Sequence, residues 1–395
     1  MMARAICFTN ALLTRNFTKL INGMWLEVQI YKIDSLFGVG MIIPIFTMYV
    51  NETDLVVSFK IFTKVQKKNI AVLMGGYSSE YEISLNSGAT VVASLDKEKY
   101  QVYAVHILAE GWFCVVDGER FTIDKGDFSF KDASAKKVTF DACYNTIHGT
   151  PGEDGKLQAY LELLGIPQTS CGFYESALTF NKRDSLSVLS SYGVPMAASV
   201  YVNKGDEIDM SFKNLLAIKV GYPCFVKPNR AGSSYGVSKV YKEGDLIAAL
   251  DNAFKEDNQV LIESFLSGTE VSVGVYDFGN GAEVLPVCEI VPDGDFFSLE
   301  AKYSGKSQEI VPARLDERET ADVQGLTKGI YELLGLKGIC RIDFIFHEGK
   351  PHFVEVNTNP GLSKESIIPR EFKAAGLSLT EVFGKAIETC IKAQK

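Results

Sequence analysis

The sequence has few residues that could form a metal-thiolate site or a disulfide framework. Its 395 residues include four histidines and eight cysteines, and the cysteines are spread singly, without a C-x-x-C pair. No pair of histidines stands at zinc spacing either. These absences argue against a structural zinc site and against a disulfide-stapled secreted domain. They predict reduced thiols in a cytoplasmic protein.

An excess of positive charge is also lacking. The chain carries 40 Lys and Arg residues against 49 Asp and Glu residues, so its formal net charge is -9. This balance argues against nucleic acid as a partner. It suits a soluble enzyme that meets anionic ligands with local Lys, Arg and metal ions.

Long apolar runs are missing as well. The uncharged stretch 36–50 is shorter than the roughly 20 residues of a spanning helix, and it contains Pro44. It also lacks the layout of a secretory signal, so no membrane partner is expected. Residues 1–66 differ in composition from the rest and predict an atypical, poorly ordered or non-native extension. A packed accessory segment and a membrane contact are the alternatives.

Two common nucleotide-binding fingerprints are incomplete. The glycine pair Gly75-Gly76 follows a strand-like run, but the G-x-G-x-x-G pattern is not finished. The only G-K-S sequence, at 305–307, has Glu300 where the first P-loop glycine belongs. Any phosphate site must therefore be built in another way.

The segment after residue 66 opens as an α/β domain. The apolar run 69–74 predicts a buried strand, the glycines a turn, and 84–95 a helix. Glu80 near this helix start is either a functional acid or a residue that stabilises the helix dipole. A further predicted strand, 140–147, ends in the turn-rich loop that starts at His148. Loops at the carboxyl ends of strands bind ligands in α/β sheets, although His148 could equally be a loop anchor.

The chain changes pattern near Phe180, where we place a domain boundary. Strand 224–228 ends in Lys227-Pro228 and leads into the small-residue loop 229–237. Such a loop can offer backbone N–H groups to phosphate oxygens while Lys227 supplies a point charge.

The next predicted strand, 259–263, resembles the adenine edge of a nucleotide site. Its following backbone near Ser264 to Leu266 could contact adenine, and Glu270 could bond ribose hydroxyls, unless the strand simply crosses between domains. The polar, aromatic loop 296–307 is either a lid or a solvated loop.

The segment from Gly338 to Ser363 predicts a hairpin with a charged face. Arg341 and Asp343 alternate with apolar residues on one strand, and Phe353, Glu355 and Asn357 share a face of the other. A three-residue loop, 348–350, would set Asp343 opposite Glu355 and Arg341 opposite Asn357.

Two carboxylates set directly opposite repel each other, and a cation between them relieves the repulsion. Oxygen ligands favour Mg²⁺ or Mn²⁺. The turn 358–361 leaves backbone N–H groups free for an anion beside such a metal. The alternative is an exposed polar face of a surface hairpin.

Seven stretches, in order over residues 68–392, resemble the D-alanine:D-alanine ligases of the ATP-grasp superfamily. They are 74–88 (MGGYSSEYEISLNSG), 148–158 (HGTPGEDGKLQ), 181–185 (NKRDS), 226–240 (VKPNRAGSSYGVSKV), 260–273 (VLIESFLSGTEVSV), 300–305 (EAKYSG) and 338–361 (GICRIDFIFHEGKPHFVEVNTNPG).

The resemblance implies an α/β (α+β) fold of three domains. An N-terminal parallel α/β substrate domain, 67–180, precedes a central ATP-grasp subdomain, 181–263, and a C-terminal catalytic domain, 264–395. The last two, each built on an antiparallel sheet, would sandwich ATP. The family also implies a cytoplasmic homodimer whose product feeds peptidoglycan synthesis.

The implied reaction uses ATP, two Mg²⁺ or Mn²⁺ ions and two D-alanines, and it passes through a D-alanyl phosphate. The resemblance assigns catalytic roles to Glu80, Ser233, Tyr303, Arg341 and Gly361. It assigns substrate contacts to His148 and Ser366, and metal ligation to Asp343, Glu355 and Asn357. ATP contacts fall to Lys182, Lys227, Ser234, Glu263, Leu266, Glu270 and Lys302.

Two departures from the family pattern stand out. Ala231 stands where many relatives have Glu, and Asn359 stands where Ser is frequent. The sequence therefore does not decide how the 229–237 loop, called the phosphate loop below, closes or what shape the turn 358–361 takes. Tyr303 favours an amine as the second substrate. A ligase that uses D-lactate or D-serine, or a nucleotide-binding relative without turnover, is the alternative.

Overall fold

The structure, a computed structural model, describes residues 11–21, 24–33, 41–50, 54–59, 67–292 and 307–393. The chain divides into two compact units: residues 1–68 with 97–101, and residues 69–96 with 102–395. In the described part of the chain, no helix combines the length and the apolar character needed to cross a bilayer. Lys302 and Tyr303 lie outside the described residues.

The first unit contains an antiparallel meander. Its strands are β1 (Ala11–Ile21), β2 (Met24–Ile33), β3 (Met41–Val50) and β4 (Asp54–Phe59), paired in that order. The interpretation of residues 1–66 as an atypical, poorly ordered or non-native extension stays a prediction. The many Ile, Thr, Phe and Tyr residues fit strands. Pro44 pairs with Ile30 of β2 and lies one residue beyond the end of the β3–β4 pairing.

The second unit begins with the predicted α/β layer. Its sheet has the order β11-β5-β6-β7-β8, in which β11 runs parallel to β5, and β7 runs antiparallel to both β6 and β8. The strands are β5 (Lys68–Gly75), β6 (Tyr100–Leu108), β7 (Gly111–Val116), β8 (Glu119–Thr122) and β11 (Ala142–Asn145), with a small pair, β9 (Phe130–Lys131) and β10 (Lys137–Val138). Helices α1 (Tyr81–Ser94) and α2 (Lys156–Leu163) accompany them. The sheet is therefore parallel only in part, which the sequence pattern did not predict.

A four-stranded antiparallel sheet follows, in the order β12-β15-β13-β14. Helix α3 (Phe173–Phe180) ends at the predicted boundary, and the Asn181 side chain caps the next helix, α4 (Lys182–Ser191). The remaining elements are β12 (Ser199–Asn203), α5 (Met210–Lys219), β13 (Cys224–Pro228), β14 (Ser238–Val240), α6 (Leu246–Ala253) and β15 (Gln259–Ser264). The buried side chains of this layer form a core of their own.

The last sheet has the order β19-β18-β16-β20-β21, with β17 also paired to β16. Its strands are β16 (Gly268–Asp277), β17 (Glu283–Val284), β18 (Cys288–Pro292), β19 (Ser307–Ile310), β20 (Gly338–His347) and β21 (Lys350–Asn357). Helices α7 (Glu317–Leu333), α8 (Ile367–Ala374) and α9 (Leu379–Ala393) complete the chain. The apolar side chains of β16, β20, β21 and α7 share one core.

The β20–β21 hairpin has the predicted pairing of Asp343 with Glu355, but its turn is shorter than predicted and a bulge restores the register. Its turn has two central residues, Glu348 and Gly349, with φ of 51° and 74°, so His347 pairs with Lys350. The three-residue loop is therefore wrong. A register shift leaves Val354 unpaired, and beyond this bulge Asp343 faces Glu355 as predicted.

The bulge also separates two side chains that the sequence pattern had placed on one face. Phe353 packs edge-to-face on Phe344 in the core, whereas Glu355 faces Asp343. In a regular strand, residues two apart point the same way. The extra residue, Val354, lets Phe353 turn inward and Glu355 turn toward the polar side.

Candidate functional site

A single cleft of about 580 Å³ gathers every predicted site residue that the structure describes. Its walls come from the loop before α1, the start of α4, the 229–237 loop, strands β15 and β16, the hairpin, and the turn before α8. The strand ends and turns of three layers meet here. The surface-hairpin alternative is therefore wrong, since the charged hairpin face forms the cleft floor.

The floor of the cleft is a charged network around Asp343. Arg341 donates from Nε and Nη2 to the two Asp343 oxygens, each at 2.8 Å. The Ser272 hydroxyl donates to the same carboxylate at 2.6 Å, and the Asn357 amide donates at 3.1 Å. Burial lowers the pKa of Arg341, but the carboxylates of Asp343 and Glu355 outweigh it and raise the pKa overall. Arg341 is thus held as a fixed positive charge.

Asp343, Glu355 and Asn357 present oxygens on one face of the hairpin. Within the described residues, no group of three or more His, Cys, Asp or Glu side chains is arranged as a metal site. A carboxylate pair with one amide nevertheless suits Mg²⁺, which keeps water and phosphate oxygens in its remaining positions. The donor set therefore fits a hard divalent cation that arrives with a phosphate ligand.

Two lysines line the side of the cleft above these oxygens. Lys182 lies 3.0 Å from the Glu355 carboxylate and donates to the Ala231 carbonyl at 2.7 Å. Lys227 lies 2.6 Å from Glu263. Burial lowers the pKa of Lys227, but the charge of Glu263 outweighs it and the net shift is upward. Lys182 thereby joins the 229–237 loop to the hairpin, whereas Lys227 joins strands β13 and β15.

A contact between the first layer and the phosphate loop closes one end of the cleft. The Ser233 hydroxyl donates to Glu80 Oε1 at 2.5 Å. Ser233 and Ser234 have φ of 48° and 61° and so stand in the left-handed region. A Cβ on Gly232 would lie 2.6 Å from Glu80 Oε2, so only glycine permits this approach. The third predicted member, Tyr303, is not among the described residues.

His148 is buried at the base of the same wall. Its Nε2 lies 3.2 Å from the Ser87 hydroxyl, which accepts a hydrogen bond from the Leu362 N–H at 3.1 Å. Burial and the Arg341 charge lower the pKa of His148 to about 4. The imidazole is therefore neutral near pH 7 and can exchange a proton with a bound group.

Glu153 is the residue that sequence reasoning missed. It is buried in the cleft wall and accepts N–H bonds from Gly149 at 2.7 Å and from Asn359 at 3.3 Å. Burial and the nearby Glu80 charge raise its pKa to about 8, and the two N–H bonds only partly oppose them. An acid within a run of turn formers was the available signal.

Asn359, one of the two departures from the family pattern, joins the hairpin to the 148–155 loop. Its amide donates to the Gly152 carbonyl at 2.7 Å and to the Ile147 carbonyl at 3.3 Å. Beside it, a Cβ on Gly361 would lie 2.9 Å from the Ser366 hydroxyl. Gly361 thus lines the cleft close to the predicted substrate residue Ser366.

Comparison with known proteins agrees with this geometry. Two family models match the chain, described as D-ala D-ala ligase N-terminus over residues 69–171 and D-ala D-ala ligase C-terminus over residues 188–388. A D-alanine--D-alanine ligase of Christiangramia forsetii is 55% identical over 326 residues, which cover 82% of this chain and 99% of the relative.

Solved structures give the same result. The D-Ala:D-Ser ligase VanG of Enterococcus faecalis superposes with a TM-score of 0.73 at 30% identity and covers 82% of this chain and 100% of its own. The D-alanine--D-alanine ligase of Bacillus anthracis complexed with ATP has a TM-score of 0.66 at 29% identity, over 83% of this chain and 98% of its own.

Proposed function

Because the chain belongs to the D-alanine--D-alanine ligase family, we propose that this cleft joins two D-alanines to D-alanyl-D-alanine with conversion of ATP to ADP and phosphate. The observation that carries the proposal is the position of Arg341, Asp343 and Glu355 on one hairpin face, in the same cleft as the two lysines and the 229–237 loop. A carboxylate becomes an electrophile only after phosphorylation, and this arrangement neutralises the charges that meet in that step.

In the first step, a carboxylate oxygen of the first D-alanine attacks the γ-phosphorus of ATP, and the bond from that phosphorus to ADP breaks. Lys182 and Lys227 balance the phosphate charge. Asp343, Glu355 and Asn357 would hold the Mg²⁺ or Mn²⁺ ions, whose chemistry is to neutralise phosphoryl oxygens. Adenine would lie along the backbone near Leu266, with Glu270 toward the ribose and Glu263 and Ser234 completing the ATP contacts.

In the second step, the amine of the second D-alanine attacks the carbonyl carbon of the acyl phosphate, and phosphate leaves. The oxyanion formed at that carbon is stabilised by Arg341 and by the Gly361 N–H. Glu80 receives the first ammonium group and Ser366 the second carboxylate. Neutral His148 lies beside the substrates, where it can accept a proton.

The Ser233–Glu80 contact keeps water from the acyl phosphate, which would otherwise hydrolyse. We propose that Tyr303 completes this latch and that Lys302 contacts the ATP phosphates. Both proposals come from the family resemblance.

We also propose the three-domain division at 67–180, 181–263 and 264–395. The capped break at Asn181, between α3 and α4, supports its first boundary. A homodimer in the cytoplasm is proposed from the family, and the free cysteines among the described residues fit a reducing compartment. Light scattering and cell fractionation test these two points.

The direct test of the reaction is phosphate release from ATP with D-alanine, D-serine and D-lactate as acceptors, with each product identified by mass spectrometry. We expect D-alanyl-D-alanine to dominate at neutral pH. Dominance of a mixed dipeptide or a depsipeptide would replace the proposed second substrate. No phosphate release with D-alanine would point instead to a nucleotide-binding relative without turnover.

A further inference from the structure

Glu371, on α8, is a fully buried acid with no part in the predicted site. Its side chain is wholly inaccessible to solvent. Oxygen Oε2 accepts a hydrogen bond from the Gly274 N–H at 2.9 Å, whereas Oε1 has no hydrogen-bond partner among the described residues. Burying a carboxyl group costs folding free energy unless hydrogen bonds or an opposite charge compensate the lost hydration.

The sheet explains why Gly274 is reached from a helix. Strand β16 pairs with β18 at residues 270–272 and with β17 at residues 275–276. The Gly274 N–H falls between these two pairings. The Glu371 carboxyl fills the gap and supplies the acceptor that a strand would otherwise provide.

The same glycine is the cross-strand neighbour of Arg341. Gly274 pairs directly with Arg341 between β16 and β20, and a Cβ on Gly274 would lie 2.4 Å from Glu371 Oε2. Directly paired residues carry their side chains on one face, with Cβ atoms about 4.5–5.5 Å apart. The Glu371 carboxyl therefore occupies the side-chain position next to Arg341 that glycine leaves vacant.

We propose that Glu371 is a positioning residue for Arg341. Arg341 faces Asn357 on one side and the Gly274 position on the other, while Asp343 holds two of its nitrogens. With the Glu371 carboxyl in the vacant position, the guanidinium is confined to a single placement in the cleft. The inference rests on the proposed role of Arg341 in stabilising the oxyanion.

Shape and hydrogen bonding carry this role. Burial raises the pKa of Glu371, although the Arg341 guanidinium opposes the shift. A glutamine of the same shape keeps the acceptor for the Gly274 N–H and loses little else. Alanine removes both the acceptor and the volume, and it leaves the Gly274 N–H buried without a partner.

The test compares Glu371→Ala with Glu371→Gln in the full-length enzyme. We expect alanine to lower kcat about 10- to 100-fold with KM for ATP nearly unchanged, since a small misplacement of a catalytic group has an effect of this size. Glutamine should restore kcat to nearly the wild-type value. Glu289→Ala is the matched control, because Glu289 is a buried acid bonded to Arg314 in the same sheet. It should lower Tm but leave kcat unchanged.

If Glu371→Ala folds poorly, Gly274→Ala replaces it, because the new Cβ displaces the carboxyl; it should lower kcat in the same way. Wild-type kcat in either variant, or a loss in Glu371→Gln as large as in the alanine variant, overturns the inference.

The Arg341→Ala variant separates the positioning role of Glu371 from the proposed role of Arg341 in the reaction. If it retains kcat, the role of Arg341 fails as well. If Arg341→Ala lowers kcat, the double variant Arg341→Ala, Glu371→Ala should have the same kcat as Arg341→Ala alone, because Glu371 then has no guanidinium to position. A further loss of kcat in the double variant would overturn only the positioning role of Glu371.

Discussion

Asp343 faces Glu355 across the hairpin because Val354 is extruded from the pairing between them. The two-residue turn alone would have placed Asp343 opposite Val354. Asp343 already accepts from Arg341, Ser272 and Asn357, and Glu355 pairs with Lys182. Each carboxylate therefore meets its own cation, Arg341 for Asp343 and Lys182 for Glu355.

Glu355→Gln tests this pair. The substitution keeps the volume and removes one negative charge, so we expect kcat to fall at least 100-fold while Tm changes by only a few degrees. Titration with Mn²⁺ in the presence of ADP should show weaker metal binding by the variant. Glu348→Gln, in the hairpin turn, is the control and should behave like the wild type. A Glu355→Gln enzyme with the wild-type rate would refute the metal assignment.

Ser233→Ala tests the latch. The variant loses a hydrogen bond to a carboxylate, which is typically worth about 1.5–3 kcal/mol, so we expect kcat for the dipeptide to fall roughly tenfold or more. Because water then reaches the acyl phosphate, phosphate release should exceed dipeptide formation. Simultaneous measurement of both products gives the ratio. Ser238→Ala, a serine of the neighbouring strand, should keep the two products equal, and equal products in Ser233→Ala would argue against water exclusion by this contact.

The sequence predicted the hairpin, its two acids and their facing because polar and apolar residues alternate along β20. It did not predict the route. In a regular strand Phe353 and Glu355 would lie on the same face, but Phe353 packs in the core and Glu355 faces the cleft. The bulge resolves this conflict, which is visible only when the surroundings of both faces are known. The alternation of polar and apolar residues predicted which residues share a face, whereas core packing decided that the alternation is interrupted at Val354.

Glu153 and Glu371 were missed for a related reason. Their environments come from residues far away in sequence: Asn359 bonds Glu153, and Gly274 bonds Glu371. The turn formers around Glu153 indicate a functional loop but not the burial of the acid, and a lone acid on a helix such as Glu371 gives no local signal.

Glu153 makes stability depend on pH. Its pKa is about 8 in the folded protein, above the usual value of 4.5, so the folded state binds the proton more tightly. Stability from this group is present below about pH 4.5 and is lost as the pH rises toward 8, by about 3 kcal/mol at pH 7. Glu153→Gln, which imitates the protonated acid, should remove this dependence. Tm measured from pH 5 to 8 should fall in the wild type relative to the variant, and parallel curves would contradict the assignment.

A chain that starts at Lys67 should keep full ligase activity. Every residue lining the cleft belongs to residues 69–96 or 102–395, and the family models begin at residue 69. Among the residues that the structure describes, β1–β4 form a sheet of their own, so their removal breaks no described pairing with β5 or later strands. We expect kcat and both D-alanine KM values within about twofold of the full-length enzyme, measured by coupled ADP release. The matched comparison is a chain that starts at Leu73, which removes most of β5 and should abolish folding because Ile70, Ala71 and Val72 are fully buried. If the Lys67 chain is inactive yet folded by circular dichroism, the N-terminal unit takes part in the reaction and the site extends beyond the cleft.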